Sequence, residues 1–246
     1  LSRLEGRAER RRVVRNFRAP WRRFFVCQKE VRKTQRLHFE DRETWLAGRN
    51  AQGIGASEAA AVVGVSPWMT PMELWRLKVG AAQPKDLSGS AAVSRGVRME
   101  PVLRDLYAAM HPYYTVDYHA YDILYQEDRP WLFATLDGEV TDDQGRRGIL
   151  EIKTSTPNGK LGWAKWDGQI PLHYRCQILH QMLATGWDFV DLLASLENMD
   201  GDLSIRTYRF ERVEQADDLA WLLEREEDFY KNHVLTGTPP AAILRM

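Results

Sequence analysis

Asp137, Glu151 and Lys153 are residues whose types and spacing could do chemistry together. They lie within Trp131–Pro157, which reads as two β-strands, Trp131–Val140 and Gly148–Lys153, joined by the turn cluster Asp142-Asp143-Gln144-Gly145. With the turn centred near Asp143 and Gln144, strand pairing sets Asp137 opposite Leu150 or Glu151. Alternation along the second strand puts Glu151 and Lys153 on one face, and Leu150 and Ile152 on the other. Carboxylates that face each other across strands repel, and a divalent cation between them removes that cost. Oxygen donors of this kind suit Mg²⁺ or Mn²⁺, which bind through one or two carboxylates, waters and substrate phosphates. A lysine just beyond the second carboxylate can orient or activate a water and offset charge on a phosphate. Together these groups make a nuclease constellation.

A structural role would account for the same residues. Asp137-Gly138 is also an ordinary turn, and Glu-x-Lys is a common solvent-facing pair on an edge strand. The run Gly148-Ile149-Leu150-Glu151-Ile152-Lys153 weighs the other way, being apolar enough for a central strand, where charges are seldom placed without a task. Glu100 poses the same choice. Arg95–His111 predicts an amphipathic helix with Leu103, Leu106, Tyr107 and Met110 at i, i+3, i+4 and i+7. Glu100 falls on its buried stripe, so it answers Arg98 or Arg104, or it belongs to a site.

The elements that must position these residues follow from pattern and punctuation. Glu43–Gly48 starts a helix, and the loop Arg49–Gly55 leads to Ser57, which caps a short helix over Glu58–Gly64. A glycine-rich loop entering a helix can bind an anion, with Arg49 and Ser57 adding donors, although it is as often a plain tight turn. Thr70-Pro71-Met72-Glu73 opens another helix with a capping box. Thr115–Tyr125 reads as a strand leading into the hairpin, and Asn158–Gln169 as a loop. Pro171–Thr185 is a helix ended by Gly186, with Ile178, Leu179, Met182 and Leu183 as its core face and Tyr174, Gln177 and Gln181 on another. Those glutamines are either surface filler or groups that hold a water and a phosphate. Strands over Phe189–Leu196 and Leu203–Phe210 and a helix over Ala216–His233 complete the pattern.

Composition bounds the class. The chain has 246 residues, 44% hydrophobic and 28% charged, ordinary for a soluble globular domain. No apolar run approaches the roughly 20 residues of a membrane span. Cys27 and Cys176 make neither a disulfide framework nor a cluster motif, which points to a reducing cytoplasm and excludes an iron–sulfur nuclease. His173, Cys176 and His180 lack a fourth zinc partner and spread over more than one helix face. The net charge of zero conceals an asymmetry of +10 over residues 1–36 against −10 over the rest. Residues 1–37 therefore read as a basic, disordered arm with interleaved aromatics, able to lie along phosphates or to serve as a leader. Residues 38–246 read as a single domain.

The ordered set Arg49…Ser57-Glu58, Gly64-Val65-Ser66-Pro67-Trp68, Gly96-Val97-Arg98-Met99-Glu100-Pro101, Leu136-Asp137-Gly138, Leu150-Glu151-Ile152-Lys153-Thr154 and Tyr174…Gln177 resembles the YqaJ-type viral recombinases, the phage lambda-type alkaline exonucleases, over about residues 42–197. The resemblance implies an α/β restriction-endonuclease-like (PD-(D/E)xK) fold, a mixed central sheet flanked by helices. It implies a Mg²⁺-dependent exonuclease, with Mn²⁺ as a substitute, that degrades linear double-stranded DNA 5′ to 3′ and leaves 3′ single strands for phage-type recombination. By the same resemblance Asp137, Glu151 and the Ile152 carbonyl ligate metal, and Glu100 helps hold the metal or its water. Lys153 activates the attacking water, Gln177 and Tyr174 sit beside nucleophile and scissile phosphate, and Arg49 and Ser57 grip the 5′ phosphate. Relatives form ring trimers and work with a single-strand annealing protein. Leu136 replaces the usual proline before the aspartate, a change that leaves the chemistry intact because proline binds nothing. Two other classes stand beside this one: an endonuclease or nickase of the same fold, for which a grip on a strand terminus has no use, and a silent DNA-binding module, which has no use for clustered carboxylates.

Overall fold

The computed structural model describes residues 33–49 and 53–242. Strand β1 (Thr34–His38) and helix α1 (Arg42–Arg49) are followed by the short strand β2 (Ile54–Gly55), a 3₁₀ turn over Ala56–Glu58 and helix α2 (Ala59–Val62). Helix α3 (Pro71–Lys78) starts where the sequence says it should: Thr70 Oγ1 accepts from the Glu73 N–H while the Glu73 carboxylate accepts from the Thr70 N–H. Helix α4 (Ala91–Met110) begins four residues before the expected Arg95, because Ser90 supplies a cap by accepting from the Val93 N–H. Then come β3 (Thr115–Asp117), β4 (Asp122–Gln126), β5 (Arg129–Ala134), β6 (Gly138–Thr141) and β7 (Arg147–Ser155). Helices α5 (Gly159–Ala164) and α6 (Leu172–Thr185), strands β8 (Phe189–Glu197) and β9 (Leu203–Glu211), and helix α7 (Ala216–Asp228), continued by a π-helical turn over Phe229–Val234, complete the order.

The strands form two sheets, β1-β4-β5-β2 and β3-β6-β7-β8-β9. The second is the mixed central sheet: β7 and β8 are parallel, and the other pairs in it are antiparallel. Alternation along β7 and β8 divides its two faces. Leu150 and Ile152 pack with Phe189 and Leu193 against Leu103 and Tyr107 of α4. Ile149, Val190, Leu192 and Ala194 pack against Ile178, Leu179 and Met182 of α6. Fully burying one such side chain contributes about 1.5–3 kcal/mol, so the helices are fixed to the sheet chiefly by these rows. Gly148 allows β7 and β8 to approach, since a Cβ there would lie 2.1 Å from the Phe189 ring.

Two single-strand expectations are corrected by the presence of a second sheet. Trp131–Val140 is divided between β5 in one sheet and β6 in the other, with the crossing at Thr135–Asp137. Thr115–Tyr125 is likewise divided between β3 and β4, and its crossing contains Tyr121 in the left-handed region at φ 63°. A non-glycine residue there carries roughly 1–2 kcal/mol of strain. Asn158–Gln169, expected to be a loop, contains α5. Of the segment read as a basic arm, residues 1–32 lie outside the described residues, and Thr34–Leu37 belong to β1, paired with β4. Among the described residues no helix is long and apolar enough to cross a membrane.

Candidate active site

The two crossings between sheets both line a cavity of 380 Å³, one with Tyr118, His119 and Tyr121 and the other with Thr135, Leu136 and Asp137. Strand β7 contributes Glu151, Ile152 and Lys153 to it, α4 Glu100, α6 Gln177, and α1 Trp45 and Arg49. The hairpin register pairs Gly138 with Leu150, so the next step outward sets Asp137 across from Glu151, one of the two placements expected. Asp137 Oδ2 accepts from the Ile152 N–H at 2.8 Å, which locks the carboxylate over β7.

Glu151 is buried and its carboxylate is fully engaged. Oε1 accepts from Lys153 Nζ at 2.5 Å and from Gln177 Nε2 at 2.6 Å; Oε2 accepts from Gln181 Nε2 at 2.5 Å. Lys153 Nζ also lies 5.0 Å from the centre of the Tyr174 ring, which packs against Trp166 and His173. Burial holds the Asp137 carboxyl well above the usual carboxylate range, Glu151 and Glu100 add to this by repulsion, and Lys153 and the Ile152 N–H only partly oppose it. For Lys153 burial acts downward, but Glu151 and Asp137 outweigh it and hold the group above its ordinary value, as the ammonium.

Glu100 is only half-buried, and the apolar stripe drawn around it is partly wrong: Leu103 and Tyr107 are buried, while Leu106 and Met110 are exposed. Burial raises the Glu100 carboxyl, Arg104 opposes this, and Glu151 adds to it. Arg104 Nη2 lies 3.0 Å from Glu100 Oε1, its Nε donates to the Asp137 carbonyl at 2.6 Å, and its guanidinium stacks 3.7 Å from the Tyr118 ring centre. Arg104 thus ties α4 to the crossing that carries Asp137.

Arg49 is the cation of the cavity without a direct acidic partner among the described residues; its guanidinium lies 4.6 Å from the Trp45 ring. Burial pulls its pKa down, against the attraction of Glu58, Asp137 and Glu151. It also borders a second cavity, of 550 Å³, and Ser57 lines that one rather than the first. Ser57 does not cap a helix. Glu58 has taken the role, its Oε2 accepting from the Gly55 N–H at 2.8 Å and pairing with the buried Lys78 at 2.7 Å. One N–H of the helix entrance read as an anion site, that of Gly55, is therefore taken by Glu58, and residues 50–52 of the loop lie outside the described residues.

Glu100, Asp137, Glu151, Ile152, Lys153, Gln177 and Arg49 thus border one cavity, Tyr174 stands behind Lys153, and Ser57 shares the second cavity with Arg49. Among the described residues no three His, Cys, Asp or Glu side chains converge into a ready-made metal cage. The donor chemistry nevertheless fits a hard divalent cation, which needs only one or two carboxylates and completes its shell with water. Asp137 and Glu151 supply them, and the upward pull that Glu151 exerts on the Asp137 carboxyl is the repulsion such a cation would remove. Gln181, read from the sequence with Gln177 as either surface filler or a group holding a water and a phosphate, bonds the Glu151 carboxylate instead, a contact that its helix face alone does not announce. His180 is turned away from the cavity, with Nδ1 2.7 Å from Glu226 and Nε2 2.9 Å from the Phe133 carbonyl.

A mixed sheet with α4 on one face and α6 on the other, carrying Glu151-x-Lys153 on its central strand and Asp137 beside it, is the restriction-endonuclease-like fold. Residues 44–188 match the YqaJ-like viral recombinase domain, and the chain belongs to that family. It is 26% identical over 201 residues to the uncharacterised protein YqaJ of Bacillus subtilis (strain 168); the match spans 81% of this chain and 59% of that relative. Among solved structures it is similar to LHK-Exo in complex with dAMP, at 23% identity and a TM-score of 0.61, over 80% of this chain and 94% of that one. A second structure, LHK-Exo as an alkaline exonuclease from Laribacter hongkongensis, matches with a TM-score of 0.55 at 22% identity, over 80% of this chain and 98% of that one.

Proposed function

We propose that the chain is a divalent-metal-dependent exonuclease that degrades linear double-stranded DNA 5′ to 3′ and leaves a 3′ single strand. The observation that carries this reading is the convergence of Asp137, Glu151, Lys153 and Gln177 on one cavity in a fold shared with exonucleases. Asp137 and Glu151, with the Ile152 carbonyl, would hold Mg²⁺ or Mn²⁺, which when bound lowers the pKa of water and stabilises charge building up on the phosphate. Lys153, held as a cation by its two carboxylate neighbours, donates to the phosphate or to the attacking water and offsets negative charge. Gln177 Nε2, already within reach of Glu151, orients the same water or a phosphate oxygen. Arg49 is a half-buried cation without a direct ion pair among the described residues, the state of a group that waits for an anion, and a terminal 5′ phosphate beside the scissile one would supply it. A grip on a terminus favours an exonuclease over an enzyme that cuts within a strand. The dAMP held by LHK-Exo agrees with a cavity that takes one nucleotide.

The test uses linear duplex DNA with and without 5′ phosphates beside covalently closed circles, in Mg²⁺ or EDTA, with wild type and Lys153→Ala in parallel. The expected result is Mg²⁺-dependent loss of linear DNA alone, faster with a 5′ phosphate. Lys153→Ala should be slower by about 10²–10⁴-fold, the range for losing a positioned proton-transfer or charge-stabilising group. Cutting of closed circles would replace the exonuclease reading with an endonuclease.

A further inference from the structure

The two oxygens of Glu151 are engaged from different sides. Oε1 receives Lys153 and Gln177, whose side chains line the cavity. Oε2 receives Gln181, which is 0% exposed and does not border the cavity. The other end of that amide, Gln181 Oε1, has no hydrogen-bond partner among the described residues. A methionine would fill the same space on α6, between Ile178 and Met182, without burying an unsatisfied carbonyl. The glutamine is therefore a cost to the core, and its side chain makes one hydrogen bond, to Glu151. Turned end for end, the amide would set its oxygen against Glu151 Oε2, so the carboxylate fixes its orientation.

We propose that Gln181 is a positioning residue for the nuclease reaction: by holding Oε2 on the protein side it turns Oε1 of Glu151 to the cavity. Glu151 then presents one oxygen, in one plane, to a cation or water there, while Gln177 and Lys153 act on the cavity side. The proposal rests on the nuclease reading above. Outer contacts that orient a ligating carboxylate commonly change metal affinity or turnover by about 10–100-fold.

Gln181→Met keeps the length of the side chain and removes both the donor and the unsatisfied carbonyl. Gln181→Asn keeps the amide but withdraws it by one methylene. Three quantities decide: Mn²⁺ affinity of the DNA-free protein by electron paramagnetic resonance, kcat and KM on linear duplex DNA, and Tm. In Gln181→Met, Mn²⁺ affinity and kcat should each fall about tenfold or more, with KM nearly unchanged and Tm lowered, because Glu151 Oε2 loses its hydrogen bond. Gln181→Asn should fall between; if the methionine variant fails to fold, it carries the same comparison. A glutamine that only packs would give a lower Tm with kcat and Mn²⁺ affinity unchanged, and that result overturns the proposal. Wild-type Mn²⁺ affinity and turnover in both variants overturn it as well. A wild-type chain that binds Mn²⁺ and cuts no DNA ends the nuclease reading alone, because the Mn²⁺ comparison still decides the role of Gln181.

Discussion

His180 faces an oxygen at each ring nitrogen, the Glu226 carboxyl at 2.7 Å and the Phe133 carbonyl at 2.9 Å, an arrangement that favours the doubly protonated imidazolium. Burial pulls its pKa down, but Glu226 and then the Phe133 carbonyl outweigh burial, and the group stands above its ordinary value. A raised histidine stabilises the fold fully below its unfolded value of about 6.5, and that contribution is lost as pH rises through the folded-state value. Urea unfolding should therefore give a lower stability at pH 9 than at pH 6. His180→Leu leaves Glu226 as an unpaired buried charge and should cost about 3–5 kcal/mol. Glu226 Oε2 already lacks a partner among the described residues, so adding Glu226→Leu should recover most of that loss and flatten the pH dependence. A double variant no better than the single one would show that the pair is not held together by charge.

At the scale of elements, β7 bears the greatest constraint, because it is packed on both faces and carries Glu151 and Lys153 at one end. Gly148→Ala puts a Cβ against the Phe189 ring, which is itself fully buried and covered by the Arg209 guanidinium. Overpacking of this kind costs about 1–3 kcal/mol, and thermal unfolding should show it as a lower Tm; an unchanged Tm would mean that β7 and β8 can part without loss. How much could be read from the sequence follows from the same strand. Its alternation set Glu151 and Lys153 on one face, and the turn at Asp142–Gly145 narrowed Asp137 to a place across from Leu150 or Glu151, which the hairpin register resolves to Glu151, because a period of two and a hairpin turn are local signals. What was not legible was long-range. Nothing in Trp131–Val140 announces that the chain leaves one sheet at Ala134 and enters another at Gly138, since both halves alternate acceptably. Ser57 looked like a cap because its type and place were right, but Glu58 reaches the Gly55 N–H and is fixed by Lys78, a partner from α3 that local pattern does not reveal. Gln181 was visible as a glutamine on the helix face of Gln177, but its contact with Glu151 exists only once α6 lies on the sheet.

For the whole molecule, the question is how a chain with acidic residues in excess around its candidate site would approach a polyanion. Residues 33–246 hold 23 basic and 31 acidic groups, whereas residues 1–32 hold 11 basic and 3 acidic ones. Two arginines whose partners line the cavity are already engaged, Arg36 with Asp122 and Arg104 with Glu100. On the proposed reading, Arg49 and Lys153 act on phosphates in the cavity and the basic segment supplies long-range attraction. Binding driven by such a segment releases counterions, so its affinity falls with salt in proportion to the phosphates neutralised. Removal of residues 1–32 should therefore raise KM for linear duplex DNA at low salt and flatten the plot of log KM against log salt, while leaving kcat at saturating DNA unchanged. Titrating KM between about 50 and 200 mM salt, where a protein making 6–10 phosphate contacts loses about 10³–10⁵ in affinity, gives enough range to see the slope change. A truncated protein with the same slope and the same KM would place the DNA contacts entirely on residues 33–246. A lower kcat with KM unchanged would instead make the segment part of the site itself.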